Sequence, residues 1–379
     1  MTNSRKKRIA VIYGTRPEAI KVAPLVQELG KSDQIEALCI STQQHSSLLN
    51  DALEASSLMT DLEVSAPNRA SVQSLVSSIA LNLEVPVSEC DAVIIQGDTV
   101  SAFAGALAGF LQQIPVIHLE AGLRTSSLMS PHPEEGLRRA ISHISSLHLA
   151  PTHGARENLE REGISSESIV VTGNTSIDAI RDHLARLHSK NLVERNDGNR
   201  YCVVTVHRRE NWGQPLQRIT HAISQLARIY PDIDFICPLH PNPLVRHSFA
   251  GLPPQSNLAI VDPMPHDEFV SLLLGCELIF SDSGGIQEEA TTLGIPVVIL
   301  RDETERPEVL DAGIGFIAGT DEQGIVKIGS RLLDMRLNET FVSVETFPFG
   351  DGKAGARAAQ AIEAFMTGES LPTDMAVVS

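Results

Sequence analysis

Short apolar runs alternate with amphipathic stretches along most of the chain, which is the pattern of a parallel sheet covered by helices on both faces. Up to residue 187, the apolar runs predict the strands Arg8–Tyr13, Ile35–Ser41, Ala92–Gln96, Val116–Leu119, Leu147–Ala150 and Ile169–Val171. The stretches between them predict helices at about Glu18–Leu29, Val100–Leu111, Glu134–Ser142, Gly154–Arg161 and Ser176–Leu187. This alternation predicts a doubly wound, Rossmann-like α/β domain.

A polar segment at 188–200 has the Asn, Asp and Gly content of a linker, and a second series follows it. Its predicted strands are Tyr201–Val206, Asp234–Cys237, Leu258–Val261, Leu278–Ser281 and Pro296–Leu300. Its predicted helices lie at about Pro215–Tyr230, Asp267–Leu274, Ile286–Leu293, Ile325–Leu332 and Lys353–Met366. We therefore predict an N-terminal Rossmann-like domain (1–187), a linker (188–200), a C-terminal Rossmann-like domain (201–352), and a C-terminal helix and tail (353–379) that can pack back on the N-terminal domain. Two such domains predict a ligand-binding cleft between them.

The charge balance narrows the class of partner. Lys and Arg total 30 against 47 Asp and Glu, a net charge of −17, so a surface this acidic would repel nucleic acid and anionic membranes. No apolar run reaches the ~18 residues of a membrane span, and the apolar run after Arg8 is too short for a secretory signal. The five cysteines are scattered without a C-x-x-C pair, which argues against a metal site or disulfides. We expect a cytoplasmic protein.

Chemically distinctive residues follow five of the predicted strands. The segments are GTRPE (14–18), GDT (97–99), EAGLR (120–124), HRREN (207–211) and DSGG (282–285). Because ligands of open parallel sheets bind beyond the carboxyl ends of the strands, we expect these segments to line one site.

The DSGG segment offers two interpretations. Gly284 and Gly285 at a strand-to-helix junction let the backbone approach a ligand, and the free N–H groups of a helix start favour an anion such as a diphosphate. The structural alternative is a tight turn with Ser283 as the N-cap. Neither G-x-G-x-x-G nor a P-loop is present, so nicotinamide binding has little support.

Other strand-end residues also allow a functional and a structural interpretation. Asp98 and Glu120 follow apolar strands, where a carboxylate is costly unless a ligand or a neighbouring turn satisfies it. Arg16 and Lys21 are cations near a helix start, either facing the ligand or solvated. His207 is a candidate phosphate donor or general acid, although a lone histidine is more often structural.

The segment PHPEEGLRR (131–139) begins another predicted helix. Glu134 and Arg138 are spaced i, i+4, so we expect them to share a helix face. Most pairs with this spacing are ordinary surface salt bridges.

Taken together, these motifs resemble the bacterial non-hydrolysing UDP-N-acetylglucosamine (UDP-GlcNAc) 2-epimerases. The resemblance runs from about Arg8 to Phe365. Its markers are GTRPEAIK (14–21), QGDT (96–99), HLEAGLRT (118–125), PEE (133–135) with Arg138, GN (173–174), HRREN (207–211), SDSGGIQEEA (281–290) and TERPE (304–308). It implies a glycosyltransferase-B-type fold, a homodimer, a UDP-sugar substrate and no nicotinamide cofactor.

The resemblance also implies roles for individual residues. The matching catalytic positions are Asp98, Glu120, Glu134 and His207. The matching substrate-binding positions are Arg16, Lys21, Arg138, Phe269 near the uracil, Ser283, Gly284 and Gly285 around the diphosphate, Glu289 at the ribose, and Arg306. Members of the family expel UDP to form a glycal, return the proton to the other face of carbon 2 and add UDP back.

The sequence departs from the family's usual motifs at several positions. Leu137 stands where the family usually has Asn, and the TQQHSSLL segment (42–49) departs from a motif that serves a second, regulatory UDP-GlcNAc site. Candidate residues for such a site are Gln44, His45, Arg69, Glu135, Arg208, His240 and Asn242. Variation near His132 and in Met264–His266 leaves a diacetamido-uronic acid open as the sugar. A hydrolysing 2-epimerase, a glycosyltransferase and a non-catalytic sensor remain alternatives.

Overall fold

The computed structural model describes residues 5–42, 53, 56, 58–65, 71–189, 199–239, 243–341 and 347–376. These residues form two compact α/β units. The first unit holds residues 1–181 and 349–378, and the second holds residues 182–348. None of the helices in the described part of the chain has both the length and the hydropathy needed to cross a membrane.

The first part of the chain alternates strands and helices. In chain order the elements are β1 (Lys7–Tyr13), α1 (Arg16–Leu29), β2 (Ile35–Ser41), β3 (Leu62–Glu63), α2 (Val72–Ser88), β4 (Ala92–Gln96), α3 (Val100–Leu111), β5 (Val116–Leu119), α4 (Glu134–Ile144), β6 (Leu147–Ala150), α5 (His153–Arg161), β7 (Ile169–Val171) and α6 (Thr175–Ser189). The strands form a parallel sheet in the order β3-β2-β1-β4-β5-β6-β7. The order reverses between β1 and β4, so the carboxyl ends of these strands mark the expected ligand side of a doubly wound sheet.

The second part repeats this plan. Its elements are β8 (Arg200–Thr205), α7 (Gln214–Ile229), β9 (Ile233–Pro238), α8 (Pro243–Ala250), β10 (Leu258–Val261), α9 (His266–Leu274), β11 (Leu278–Ser281), α10 (Gly284–Leu293), β12 (Val297–Ile299), α11 (Glu308–Asp311), β13 (Gly315–Ile317), α12 (Glu322–Leu337) and α13 (Ala354–Thr367). The parallel sheet has the order β10-β9-β8-β11-β12-β13 and reverses between β8 and β11.

Buried apolar residues fill both faces of each sheet, as parallel sheets require. In the first unit, Val11 packs with the α1 side and Ile12 with the α3 side, because successive side chains of a strand point to opposite faces. In the second unit, Val204 and Phe280 pack with Ile223 of α7. Strand registers align the carboxyl ends, for example Gln96 beside Leu119.

The C-terminal helix α13 belongs to the first unit. Its buried face includes Ile362, which joins the apolar cluster on the α1 side of the sheet. The start of α13 approaches the backbone of α1 so closely that a Cβ at Gly355 would lie 2.9 Å from the carbonyl of Pro24. Gly355 is therefore required by the packing of the two helices.

The predicted strands are all present, with ends within one residue of the expected positions. The predicted helices are present too, although α12 is longer at both ends than expected. The apolar pattern missed α2, α8, α11, β3 and β13. Helix α2 was missed because its serines and Pro86 weaken the amphipathic pattern, even though Ser71 accepts a hydrogen bond from the Ser74 backbone N–H as its N-cap.

Candidate functional site

The turn between β1 and α1 is held by a buried carboxylate. Glu18 accepts hydrogen bonds from the backbone N–H groups of Gly14 and Thr15, at 3.0 and 2.8 Å. It also accepts one from the Thr99 hydroxyl, at 2.5 Å, which ties this turn to the turn after β4. Burial raises the pKa of Glu18, although these hydrogen bonds oppose the shift. Arg16, the first residue of α1, is thereby fixed at the carboxyl end of β1.

Glu120, directly after β5, lies at the centre of a buried polar cluster. Its Oε1 lies 2.6 Å from Lys21 Nζ and accepts a 3.0 Å hydrogen bond from Asn174 Nδ2. Its Oε2 accepts a short hydrogen bond from Gln96 Nε2. The side chain is only 7% exposed, so these donors replace water and stabilise the carboxylate as an anion.

The backbone of Glu120 is in the left-handed region, with φ 66°. Such a conformation is uncommon for a residue with a side chain and indicates a local constraint. The same residue carries the carboxylate that accepts hydrogen bonds from Lys21, Gln96 and Asn174. This backbone conformation directs the side chain toward Gln96 at the end of the neighbouring strand β4.

His118 supports the same edge from inside the sheet. Its Nε2 lies 2.8 Å from the carbonyl oxygen of Gly97, the residue between Gln96 and Asp98. Burial lowers the pKa of His118 to about 3, so the imidazole is neutral and donates one hydrogen bond to the turn after β4.

Asp98 is held by an arginine from α4. Its Oδ2 accepts hydrogen bonds from Arg138 Nε at 3.0 Å and from Arg138 Nη2 at 2.6 Å. Arg138 also pairs with Glu135, which is fully buried and binds Arg139 as well. The buried face of α4 thus carries Glu135 as well as Arg138. Glu134, the first residue of α4, stays half-buried at the helix start.

The second unit presents its polar residues after β8 and β11. His207 follows β8, and its Nδ1 lies 3.1 Å from Oδ1 of Asp282, the residue after β11. Burial alone would raise the pKa of Asp282. The charge and hydrogen bond of His207, together with hydrogen bonds from the Arg208 backbone and the Asn211 side chain, hold that pKa below its usual value. The carboxylate is fully buried while the His207 side chain is 38% exposed.

Helix α10 starts beside this pair with Ser283 as its N-cap. A Cβ at Gly284 would lie 2.3 Å from Arg306 Nη1, whereas a Cβ at Gly285 would meet nothing within 4 Å. Gly284 is thus needed for packing, and Gly285 leaves the backbone of the first turn open. The N–H groups of such a helix start suit an anion.

An ion-pair network lies behind the helix start. Arg306 Nε is 2.5 Å from Glu288 Oε1, and Arg306 Nη1 is 2.7 Å from Glu305 Oε1. Glu305 also pairs with Arg208 and Arg301. Nearby negative charges, chiefly Glu305, raise the pKa of Arg208 against the effect of burial. The network holds the helix start and the loop after β12 together.

Two further predicted residues lie on helices of the second unit. Glu289 is on α10, 14% exposed, with its Oε1 3.5 Å from His266 Nε2. Phe269 is half-buried on α9, the helix that begins with His266.

Three comparisons identify the family. A family model described as UDP-N-acetylglucosamine 2-epimerase matches residues 27–363. The UDP-N-acetylglucosamine 2-epimerase of Escherichia coli K12 is 39% identical over 370 residues, 94% of this chain and 98% of that protein. The structure of UDP-GlcNAc 2-epimerase from Neisseria meningitidis bound to UDP-GlcNAc has a TM-score of 0.90 at 37% identity, covering 95% of this chain and 100% of that chain. The Methanocaldococcus jannaschii enzyme in complex with UDP-GlcNAc and UDP has a TM-score of 0.82 at 31% identity, covering 96% and 100%.

The chain belongs to the UDP-N-acetylglucosamine 2-epimerase family. Membership confirms the resemblance in the sequence and makes the chain an isomerase. The likeness to solved members also confirms the glycosyltransferase-B-type fold, with its two parallel sheets.

The regulatory residues predicted for this epimerase family member are only partly described. Gln44, His45, Arg69, His240 and Asn242 lie outside the described residues. Glu135 and Arg208 are within ion pairs, with Arg138 and Glu305 respectively. Within the described ranges, no group of three or more His, Cys, Asp or Glu side chains is arranged to hold a metal ion.

Several site residues of the epimerase were missed by reasoning from the sequence. They are Glu18, Gln96 and Asn174 in the first unit and Asp282 and Asn211 in the second. Glu18 had a usable signal, since Thr15-x-x-Glu18 is a capping box. The others stand inside the recognised motifs, but only the folded structure shows which side chain each one contacts.

Proposed function

We propose that the chain is a non-hydrolysing epimerase that interconverts UDP-GlcNAc and its carbon-2 epimer, UDP-ManNAc. The observation that carries the proposal is a pair of carboxylates, Asp98 and Glu120, at the carboxyl ends of the neighbouring strands β4 and β5. Each is held by a cation, Arg138 for Asp98 and Lys21 for Glu120. Family membership supplies the substrate class.

The chemistry explains why carboxylates and an anion site are both needed. Carbon 2 has no adjacent carbonyl, so its proton is too weakly acidic for direct removal and return. In the proposed reaction the C2–H and C1–O bonds break, a base takes the proton, and UDP leaves with the C1–O electron pair. The proton then returns to the other face of carbon 2 and UDP adds back to carbon 1. The reaction is redox-neutral and draws on no nicotinamide.

The hydrogen bonds of Glu120 and of Asp98 differ, and they support different roles for the two carboxylates in the reaction. Both oxygens of Glu120 accept hydrogen bonds, so we assign it to electrostatic stabilisation of the sugar. Arg138 binds Asp98 through Oδ2 only, which leaves Oδ1 for proton transfer. We therefore propose Asp98 as a base at carbon 2, and the half-buried Glu134 as the second proton-transfer group.

The leaving diphosphate needs positive charge and N–H donors. We propose that Ser283, Gly284 and Gly285 bind it through the start of α10, with His207 and Arg16 as further donors. Glu289 is proposed to bind the ribose hydroxyls, and Phe269 to contact the uracil. Arg306, in the ion-pair network behind Gly284, is proposed to hold this loop in its binding conformation.

We also propose a homodimer. Helices α2 and α3 pack against each other and expose apolar side chains, at Leu81, Val85, Phe110 and Leu111. Glu84 is the single charged residue in α2, and α3 has none. Because the chain as a whole carries a net charge of −17, an apolar face with a single charged residue is where a second copy can approach. Sedimentation equilibrium should give the dimer mass, and Leu81→Glu with Leu111→Glu should give the monomer mass. A monomeric wild type would refute the dimer.

A cytoplasmic location is proposed from the cysteines. All five are free and buried, and burial raises the pKa of Cys39 to about 12. Cysteines without disulfide partners are typical of proteins in a reducing compartment such as the cytoplasm. Labelling of the chain in intact and in lysed cells with a membrane-impermeant reagent would test this location.

The deciding experiment is proton NMR of the purified chain with UDP-GlcNAc in deuterated water, without added cofactor. UDP-ManNAc signals with deuterium at carbon 2 are the expected result. Free ManNAc with stoichiometric UDP would instead show a hydrolysing enzyme. An unchanged spectrum would refute the proposed substrate, and a UDP-linked diacetamido-uronic acid would then be tested in the same way.

A further inference from the structure

Asp282 is a fully buried carboxylate whose hydrogen bonds converge on one segment. It accepts bonds from the backbone N–H groups of His207 and Arg208, at 3.1 and 2.9 Å. Asn211 Nδ2 donates to it at 2.9 Å. The remaining contact is His207 Nδ1, 3.1 Å from Oδ1. The carboxylate therefore fixes both the backbone of the segment after β8 and the ring of His207.

The contact determines which nitrogen of His207 carries a proton. Nδ1 faces a carboxylate oxygen, which accepts hydrogen bonds and donates none while ionised, so Nδ1 is the protonated nitrogen. A proton exchanged with a ligand would then pass through Nε2. The His207 side chain is 38% exposed although its partner is fully buried, so the ring is anchored on its Nδ1 side and part of it lies at the surface of the unit.

We infer that Asp282 is a positioning residue of the epimerase, which holds His207 in the Nδ1–H form and directs Nε2 to the leaving diphosphate. The inference rests on the proposed function for the identity of the ligand. The orientation and protonated nitrogen of His207 are inferred from the geometry of the second unit alone. It assigns to the aspartate of the DSGG segment a role separate from that of Ser283, Gly284 and Gly285, which bind through the helix start.

The chemical consequence is a proton donor of fixed orientation. For this step His207 is the imidazolium, which carries a proton on Nε2 as well as on Nδ1. When the C1–O bond breaks, its electron pair remains on the diphosphate oxygen, Nε2–H gives its proton to that oxygen, and the ring is left in the neutral Nδ1–H form. When UDP adds back, the proton returns to Nε2. The carboxylate of Asp282 and the diphosphate then hold the two N–H groups of the imidazolium from opposite sides of the ring.

A purely structural role and a positioning role for Asp282 predict different effects of the substitution Asp282→Asn. Asn in its place still offers an oxygen to the backbone N–H groups of His207 and Arg208. Its amide N–H₂ can donate to His207 Nδ1, however, and this would move the ring proton to Nε2. Asn211→Ala is the matched control, because it removes another donor to the same carboxylate without altering the contact with His207.

The first readout is ¹⁵N NMR of the full chain labelled at histidine nitrogens, without substrate and then with UDP. The His207 signals are assigned by their loss in His207→Gln. In the wild type and in Asn211→Ala we expect a protonated Nδ1. In Asp282→Asn we expect Nδ1 to become the unprotonated nitrogen. The same tautomer in wild type and Asp282→Asn would overturn the inference, whatever the activity of the chain.

The second readout is the rate with UDP-GlcNAc. We expect Asp282→Asn to lower kcat about 100-fold, the scale of one positioned proton-transfer group, with a much smaller change in KM. Asn211→Ala should lose far less kcat at a similar melting temperature. Equal losses in the two variants would make Asp282 structural and overturn the inference. An inactive wild type with the expected tautomers would refute the proposed function and leave the positioning of His207 intact.

Discussion

Lys21 Nζ lies 2.6 Å from Glu120 Oε1, and the two side chains are only 10% and 7% exposed. The pair joins the first turns of α1 to the end of β5, across 99 positions of sequence. Two charges withdrawn from water are tolerated because each compensates the other, and because Gln96 and Asn174 complete the bonds of the carboxylate.

Lys21→Met should therefore destabilise the first unit and inactivate the enzyme. It leaves Glu120 as a buried charge without its cation, which costs about 3–5 kcal/mol. Lys21→Met with Glu120→Gln removes both charges and should recover most of the melting temperature but none of the activity. Thermal denaturation and the NMR assay measure the two effects. A double variant as unstable as the single one would show that Lys21 acts through packing.

Asp98→Asn should abolish turnover and leave UDP binding largely intact. Arg138 keeps Glu135 as a partner, so the fold is expected to survive. Loss of the proposed base should lower kcat by roughly 10²–10⁴-fold. Asp374→Asn is a matched control, since Asp374 is also 27% exposed and lies 2.7 Å from Arg156 in the same unit. Calorimetry with UDP gives the affinity. Loss of UDP binding in Asp98→Asn alone would make Asp98 structural.

The sequence was enough to predict the fold and the strand ends that carry the site. Runs such as Ala92–Gln96 are apolar throughout because both faces of a parallel strand are buried, and this pattern is local. Helix Val72–Ser88 escaped prediction because its side chains expose Leu81 and Val85 as well as serines, so no clear polar face exists.

The partners of the site residues could not be predicted from spacing. The i, i+4 spacing relates Arg138 to Glu134, but it does not show that Arg138 contacts Asp98, 40 positions away, and Glu135. The spacing i, i+4 only makes a contact available on one helix. Burial of one face of α4 places Arg138 beside Asp98, the carboxylate that follows β4. The contact between Asp282 and His207 likewise depends on the pairing of β8 with β11.

Acid should destabilise the first unit partly through His118. Its pKa is about 3 in the folded chain against 6.5 for an exposed histidine. Between these values the unfolded chain binds a proton that the folded chain does not, so stability falls as pH falls, by about 2–3 kcal/mol at pH 4 relative to pH 7. His118→Gln keeps a donor for Gly97 and should flatten the pH dependence of the melting temperature. The exposed His221→Gln serves as the control. Identical acid profiles for wild type and His118→Gln would exclude this contribution.

Gly284 and Gly285 should respond differently to alanine. A Cβ at Gly284 would meet Arg306 Nη1 at 2.3 Å, whereas a Cβ at Gly285 would meet no atom within 4 Å. Gly284→Ala must displace Arg306 from Glu288 and Glu305 and should lower the melting temperature. Gly285→Ala should fold normally, and alanine also suits a helix. In the proposed binding mode its methyl group would occupy the space of the diphosphate, so UDP affinity should fall about tenfold or more, a loss of roughly 1.4 kcal/mol. Calorimetry with UDP and thermal denaturation separate the two effects. Unchanged UDP affinity in Gly285→Ala would place the diphosphate away from the first turn of α10.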